Sequence, residues 1–216
     1  MELAKKIDQT NIKKGVTKKE IEESARKAKK LGFRGLCVRP QWVKIVHQEL
    51  EGSGVKTVCL VDPPIGDSPH QERIAICQKA KEEGADELDV VASLPDIKHE
   101  RWQKIKNDLK EICQILPTKV IIGSGYLTDE EIAIVSEIAQ DAGAMCVKTA
   151  TEKDPLEHRE IKEKLLHLAI MQKSAPRLLI KASGNIKNFN DARRVLEAGA
   201  DIIGTSYGEE ILRSSQ

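Results

Sequence analysis

The chain alternates between two rhythms of apolar residues. Short, nearly continuous apolar runs read as buried strands at 35–39 (G-L-C-V-R), 55–61 (V-K-T-V-C-L-V), 86–92, 118–122, 145–151 (M-C-V-K-T-A-T), 177–182 and 201–205. A mixed run at 6–12, K-I-D-Q-T-N-I, supplies an eighth. Between them apolar residues recur at helical spacing: Ile21, Ala25, Ala28 and Leu31; Ile74, Cys77 and Ala80; Trp102, Ile105, Leu109 and Ile112; Ile132, Val135 and Ile138. Further helices are expected from Trp42 to about Gly52, over 156–172 and 190–198, and in a short tail at 209–212. Two capping boxes mark helix starts, Thr17 with Glu20 and Thr128 with Glu131. Ser68 or Asp67 is expected to cap the helix that ends at Gly84, and a helix is expected over 100–116.

Strands alternating with helices predict a parallel sheet covered by helices. Eight such units point to a closed (β/α)8 TIM barrel, α/β in class, as one domain over 1–216. An open doubly wound sheet is the runner-up, and the chain lacks the G-x-G-x-x-G that such a sheet would carry after its first strand.

Three residues interrupt the apolar strands: Asp89 in E-L-D-V-V-A, Lys148 in M-C-V-K-T-A-T and Lys181 in L-L-I-K-A-S-G. An unpaired ammonium or carboxylate in a core strand loses its hydration, so each must be paired, exposed or kept for chemistry. If all three point inward they meet at the barrel's C-terminal mouth, where barrel enzymes place their catalytic groups. An amine attacks a carbonyl only when unprotonated. At an ordinary pKa of about 10.4, roughly 0.04% of a lysine is free amine at pH 7. Desolvation and a neighbouring cation raise that fraction. The competing explanation is an ion network that only fills the barrel, although burying lysines seldom stabilises a fold.

Composition narrows the partners. A net charge of +1 gives no global field for nucleic acid or anionic membrane, and 3% aromatic residues argue against a base-stacking surface. No apolar run is long enough to span a membrane. Five scattered cysteines without a C-x-x-C pair predict a reduced, cytoplasmic protein without a zinc site. The five histidines are expected at the surface, and Gly123-Ser124-Gly125 is expected to turn the chain.

Together, V-K-T-A-T at 147–151, K-A-S-G at 181–184, E-L-D-V-V at 87–91 and G-T-S at 204–206 resemble the deoxyribose-phosphate aldolase family. So do I-D-Q-T at 7–10, G-L-C-V at 35–38, K-V-I-I at 119–122 and L-T-D-E-E at 127–131, in order along nearly the whole chain. The resemblance implies a class I aldolase of carbohydrate catabolism, with no metal or other cofactor. Its substrates would be a small aldehyde and a sugar phosphate: acetaldehyde and glyceraldehyde 3-phosphate, joined reversibly to 2-deoxyribose 5-phosphate. It implies Lys148 as the Schiff-base residue, Lys181 as the cation that makes that amine reactive and assists proton transfer, and Asp89 as general acid/base with a water. Asp8, Thr10 and Cys37 match family positions near the site, and ordinary barrel packing explains them equally well. On the substrate side the resemblance implies Thr149, Thr151, Lys153, Ser183, Gly184, Asn185, Gly204 and Ser206.

The phosphate side departs from the family pattern. Glu152 stands where a glycine is usual after T-x-T, Asn185 replaces the second glycine of K-A-S-G-G, and Tyr207 replaces a small hydroxyl residue, with Lys187 as a nearby cation. Ser93 replaces an asparagine, and the tail ends R-S-S-Q where some members carry a tyrosine. Glu152 is expected to repel a phosphate by a few kcal/mol. An aldolase with a different or unphosphorylated acceptor, a non-catalytic sugar-phosphate-binding barrel, and an isomerase using Lys181 as base are the alternatives. A homodimer is left open, since its surface would be ordinary apolar helix patches.

Overall fold

The computed structural model describes residues 2–214. Eight parallel strands close into a barrel in chain order: β1 (Ile7–Asn11), β2 (Gly35–Val38), β3 (Lys56–Val61), β4 (Glu87–Val91), β5 (Thr118–Ile121), β6 (Cys146–Lys148), β7 (Leu179–Ser183) and β8 (Ile202–Thr205), with β8 pairing back onto β1. The helices are α1 (Lys18–Leu31), α2 (Val43–Leu50), α3 (His70–Glu82), α4 (Leu94–Lys98), α5 (Trp102–Cys113), α6 (Asp129–Asp141), α7 (Ile161–Ser174), α8 (Phe189–Glu197) and α9 (Gly208–Arg213). This is the expected (β/α)8 barrel.

Successive strand residues face opposite sides of the sheet, so each strand serves two cores. The outward set, including Ile7, Leu36, Val38, Cys59, Val61, Leu88, Val90, Val120, Val147, Ile180 and Ile203, packs against the helices as one apolar layer. The inward set is divided. Cys37, Val58, Leu60, Val91 and Ile121 form a small apolar plug inside the barrel. Beside it the interior holds charged side chains, with Cys146 and Ile202 among them.

Both capping boxes form: Thr17 accepts from the Glu20 N–H and Thr128 from the Glu131 N–H, with the glutamates reaching back. Three expectations are corrected. Neither Ser68 nor Asp67 caps α3; Pro69 precedes it, and Ser68 instead donates to Asp62 at 2.6 Å. The helix expected over 100–116 is shorter and follows a separate turn of helix, α4, capped by Ser93. The stretch expected as one helix over 156–172 opens as a 3-10 turn, Pro155–His158, because Asp154 caps Leu156 before the chain straightens at Glu160 and restarts as α7. Ser215 and Gln216, the end of the tail, lie outside the described residues.

Arg73 fastens the loops after β3 and β4. It is 2% exposed, donates to Asp62 at 2.8 Å and to the Val91 carbonyl at 2.9 Å, and pairs with Asp108 at 3.0 Å. Gly66, at a φ of +68°, lies so close that a Cβ there would sit 2.6 Å from the Val91 oxygen. Arg73→Met keeps the bulk of the side chain but strands a buried carboxylate. It should lower unfolding stability by about 3 kcal/mol in urea titrations, and an unchanged midpoint would show that the cluster carries no weight.

Candidate active site

The inward positions of β1, β4, β5, β6 and β7 carry Asp8, Glu87, Asp89, Lys119, Lys148 and Lys181, and Arg34 enters from the turn before β2. Register brings them into layers: Asp89 is level with Lys119, and Lys148 with Lys181. One oxygen is central. Asp89 Oδ2 accepts from Lys148 Nζ at 2.7 Å and from Lys181 Nζ at 2.8 Å. Asp89 Oδ1 accepts from Lys119 Nζ at 2.9 Å, so both carboxylate oxygens are held.

Beneath this pair the network continues. Lys181 also donates to Asp8 at 2.6 Å, Lys119 pairs with Glu87 at 2.6 Å, and Arg34 bridges Asp8 at 2.9 Å and Glu87 at 2.8 Å. Asp8, Asp89, Lys119 and Lys181 are fully buried, and Lys148 is 4% exposed. The three cations below the mouth balance the three carboxylates. Lys148 is the fourth cation, and it shares its carboxylate oxygen with Lys181.

Electrostatics follow from this crowding. Burial favours the neutral acid at Asp89, but Lys119, Lys148 and Lys181 outweigh it and hold the carboxyl well below its ordinary range. Asp8 is likewise held low against burial by Lys181, Lys119 and Arg34. Burial opposes the charge on Lys181, yet Asp8 and Asp89 together keep its ammonium above the ordinary lysine value. Burial pushes the Cys37 thiol up to about 11, with Asp89 adding to the effect, so it stays neutral, 3.9 Å from Asp89.

Asp89, Lys148 and Lys181 converge as the strand pattern requires. Asp8 joins them directly, and Cys37 and Thr10 face each other across β1 and β2 on the inward side. Arg34, Glu87 and Lys119 complete the network but were not singled out in the sequence. The signal was present: Glu87 shares the inward period of Asp89, and Lys119 interrupts an apolar strand just as Lys148 does.

The substrate-side residues divide by what holds them. Thr149 Oγ1 is committed to the backbone, donating to the Ser183 carbonyl at 2.8 Å and accepting from its N–H at 2.9 Å. Ser183 Oγ and Thr151 Oγ1 are buried without a hydrogen-bond partner. Gly204 is required to be small, because a Cβ there would come within 2.9 Å of Lys181 Cε and collide with Ser183 Oγ. Gly184 and Asn185 have φ of +100° and +56°, so the asparagine occupies a left-handed position that it tolerates better than most residues. Lys153 (φ +65°) and Ser206 are exposed, and Lys187 lies 5.4 Å from the Tyr207 ring.

Two further expectations change. Glu152 is not a bare anion: Arg39 donates to it at 2.6 Å. His167 is not at the surface; it is 5% exposed and meets Ser124 at 3.1 Å inside the Gly123–Gly125 turn.

A family model described as DeoC/LacD family aldolase matches residues 3–214. The chain belongs to that aldolase family. It is 34% identical to a deoxyribose-phosphate aldolase of Thermococcus kodakarensis, over 99% of this chain and 97% of that one. It is 33% identical to one of Streptococcus pneumoniae, over 99% and 96%. Among solved structures it superposes on "QR15, an Aldolase" with a TM-score of 0.91 at 34% identity, covering 99% of this chain and 95% of that one. It also superposes on a deoxyribose phosphate aldolase of Aeropyrum pernix, described as tetrameric, with a TM-score of 0.89 at 27% identity, covering 99% and 91%. The chain is therefore an aldolase by family, and no helix among its described residues is long and apolar enough to cross a membrane.

The loop after β6 carries an acid perturbed in the opposite sense. Asp154 is 2% exposed, and burial raises its pKa to about 6, against the pull of the Leu156 and Gly125 backbone N–H groups. The folded state thus holds this proton more tightly than the unfolded chain, and stability falls as pH rises from about 4 to 6. Asp154→Asn keeps an oxygen for Leu156 and does not titrate. It should match the parent near pH 4 and exceed its stability at pH 7 by up to about 3 kcal/mol. Parallel denaturation curves of the two proteins at every pH would contradict this assignment.

Proposed function

We propose that this chain is a Schiff-base aldolase that cleaves 2-deoxyribose 5-phosphate reversibly to acetaldehyde and glyceraldehyde 3-phosphate, with Lys148 as the nucleophile. The observation that carries the reading is the single Asp89 oxygen shared by Lys148 and Lys181. A proton leaving Lys148 has an acceptor already in contact, and that acceptor is backed by a second ammonium.

In the cleavage direction the free amine of Lys148 attacks the sugar's carbonyl carbon and gives a carbinolamine. Loss of water then leaves a protonated imine. The imine keeps the positive charge beside Asp89, so the network's charge is preserved through the covalent step. The imine is an electron sink. It draws the electrons of the breaking carbon–carbon bond into an enamine as the sugar's 3-hydroxyl gives its proton to the water beside Asp89 and glyceraldehyde 3-phosphate departs with a new aldehyde. Protonation of the enamine carbon and hydrolysis release acetaldehyde and restore the amine. Asp89 is too weak a base to hold a proton for long, so it passes protons between a water and the two amines. Lys181, pinned by Asp8 and Asp89, supplies the positive field that favours carbinolamine dehydration. Lys119 and Arg34 are positioning residues that keep Asp89, Asp8 and Glu87 ionised. Ser183 and Thr151 offer unpaired hydroxyls for the substrate's oxygens, with Gly184, Asn185, Gly204 and Ser206 around its phosphate end.

Residues 1–216 act here as one domain in carbohydrate catabolism in the cytoplasm, assembled with a copy of itself as a homodimer. Exposed Tyr207, under Lys187, favours a second reading in which the acceptor lacks the phosphate.

Acetaldehyde followed by borohydride should add a reduced two-carbon group to Lys148, located by peptide mass spectrometry. Lys148→Ala should abolish the adduct, and Asp89→Asn should slow its formation by about two to three orders of magnitude. Absence of label on the folded protein would remove the aldolase reading. Cleavage of deoxyribose 5-phosphate with ordinary affinity would remove the unphosphorylated acceptor.

A further inference from the structure

Arg39 and Glu152 are 2.6 Å apart although 113 residues separate them. Arg39 directly follows β2, and Glu152 lies in the loop that follows β6. In a closed barrel of eight strands in chain order, β2 and β6 are on opposite sides. The ion pair therefore spans the mouth into which Lys148 opens. Arg39 is fixed at both ends: its Nε donates to the Ile12 carbonyl, just past β1, at 2.7 Å. Its backbone is extended at φ −72°, ψ 156°, as the following Pro40 requires. Both side chains are largely covered, 15% and 21% exposed.

Exposed ion pairs contribute little to stability and impose an entropic cost on two long side chains. This one is largely covered, with Arg39 anchored at two points, and placed over the site, so its chemistry concerns what enters. Glu152 also acts within its own loop: burial and then its charge raise the Glu157 carboxyl, against His158, Lys164 and Lys187. Glu152 thus sits on the β6–β7 side, where the substrate's phosphate end is placed above, and Arg39 brings a cation across to it.

We propose that Arg39 is a specificity-determining residue for the acceptor half of the substrate. Its guanidinium is the cation that meets the phosphate, and Glu152 is the counter-ion that limits how tightly that phosphate is held. In the free protein the pair is neutral. As the phosphate enters, Arg39 exchanges one partner for another, so the anion expected to repel substrate instead tunes its release. This rests on the aldolase reading.

The test is a double-mutant cycle on cleavage of 2-deoxyribose 5-phosphate and of unphosphorylated 2-deoxyribose, using the full chain. Arg39→Gln should raise KM for the phosphorylated sugar on the order of tenfold, the size of one charge-assisted contact, with the change in KM rather than kcat. Glu152→Gln should lower that KM, the double variant should lie between the two, and Arg39→Lys should recover part of the loss. KM for the unphosphorylated sugar should stay within about twofold throughout. Equal selectivity ratios in all four proteins would overturn the proposal, as would loss of both substrates together in Arg39→Gln with Arg39→Lys equally impaired. Borohydride trapping of acetaldehyde on Lys148 needs no acceptor. Trapping retained with unchanged selectivity rejects the ion pair's role alone, whereas trapping absent from the parent rejects the aldolase reading.

Discussion

Asp89 keeps its charge in a water-poor barrel because cations touch both of its oxygens. An isolated carboxylate there would take up a proton, since burial disfavours the ion. Lys119 on one oxygen, with Lys148 and Lys181 on the other, reverses that preference. The same holds in reverse for the lysines: Lys181 stays charged because Asp8 and Asp89 are in contact with it. No member of the set is stable alone, and deleting one leaves an uncompensated charge of the kind that costs roughly 3–5 kcal/mol. The network is thus a single unit, and the geometry around Lys148 inherits its rigidity.

The barrel makes this arrangement possible by separating two cores. Outward strand residues and the helices supply the apolar layer that stabilises the fold. The interior can then hold charge beside a small apolar plug of Cys37, Val58, Leu60, Val91 and Ile121. Small residues make room where the charges crowd: Gly204 beside Lys181, and Gly35, whose Cβ would lie 2.9 Å from Asp8 Oδ1. The charged groups at the floor of the mouth therefore rest on rigid strands, while the loops above it are free to vary. This division explains how the loops can depart from the family pattern while the charged strand residues are kept.

The mouth shows how one contact changes the meaning of a residue. Glu152 read alone is an anion where the family pattern has a glycine. Paired with Arg39 it is half of a neutral bridge. Asn185 read alone is a lost glycine, yet its φ of +56° is one that asparagine accepts with little strain.

The fold was legible in the sequence because strand and helix periods differ, and because capping boxes, glycines and prolines punctuate them. The inward direction of Asp89, Lys148 and Lys181 was legible too, since each broke an otherwise apolar strand. Lys119 and Glu87 carried the same signal, but nothing local says which neighbour will neutralise them. Arg34 lies in a turn, where a charge needs no explanation until the barrel closes and sets Asp8 and Glu87 on either side of it. His167 and Ser124, 43 residues apart, follow the same logic, and so do Arg39 and Glu152. Local periodicity determines which elements form and which way their side chains face. Only closure of the barrel decides which charges meet, because those contacts are made between strands that the chain visits far apart.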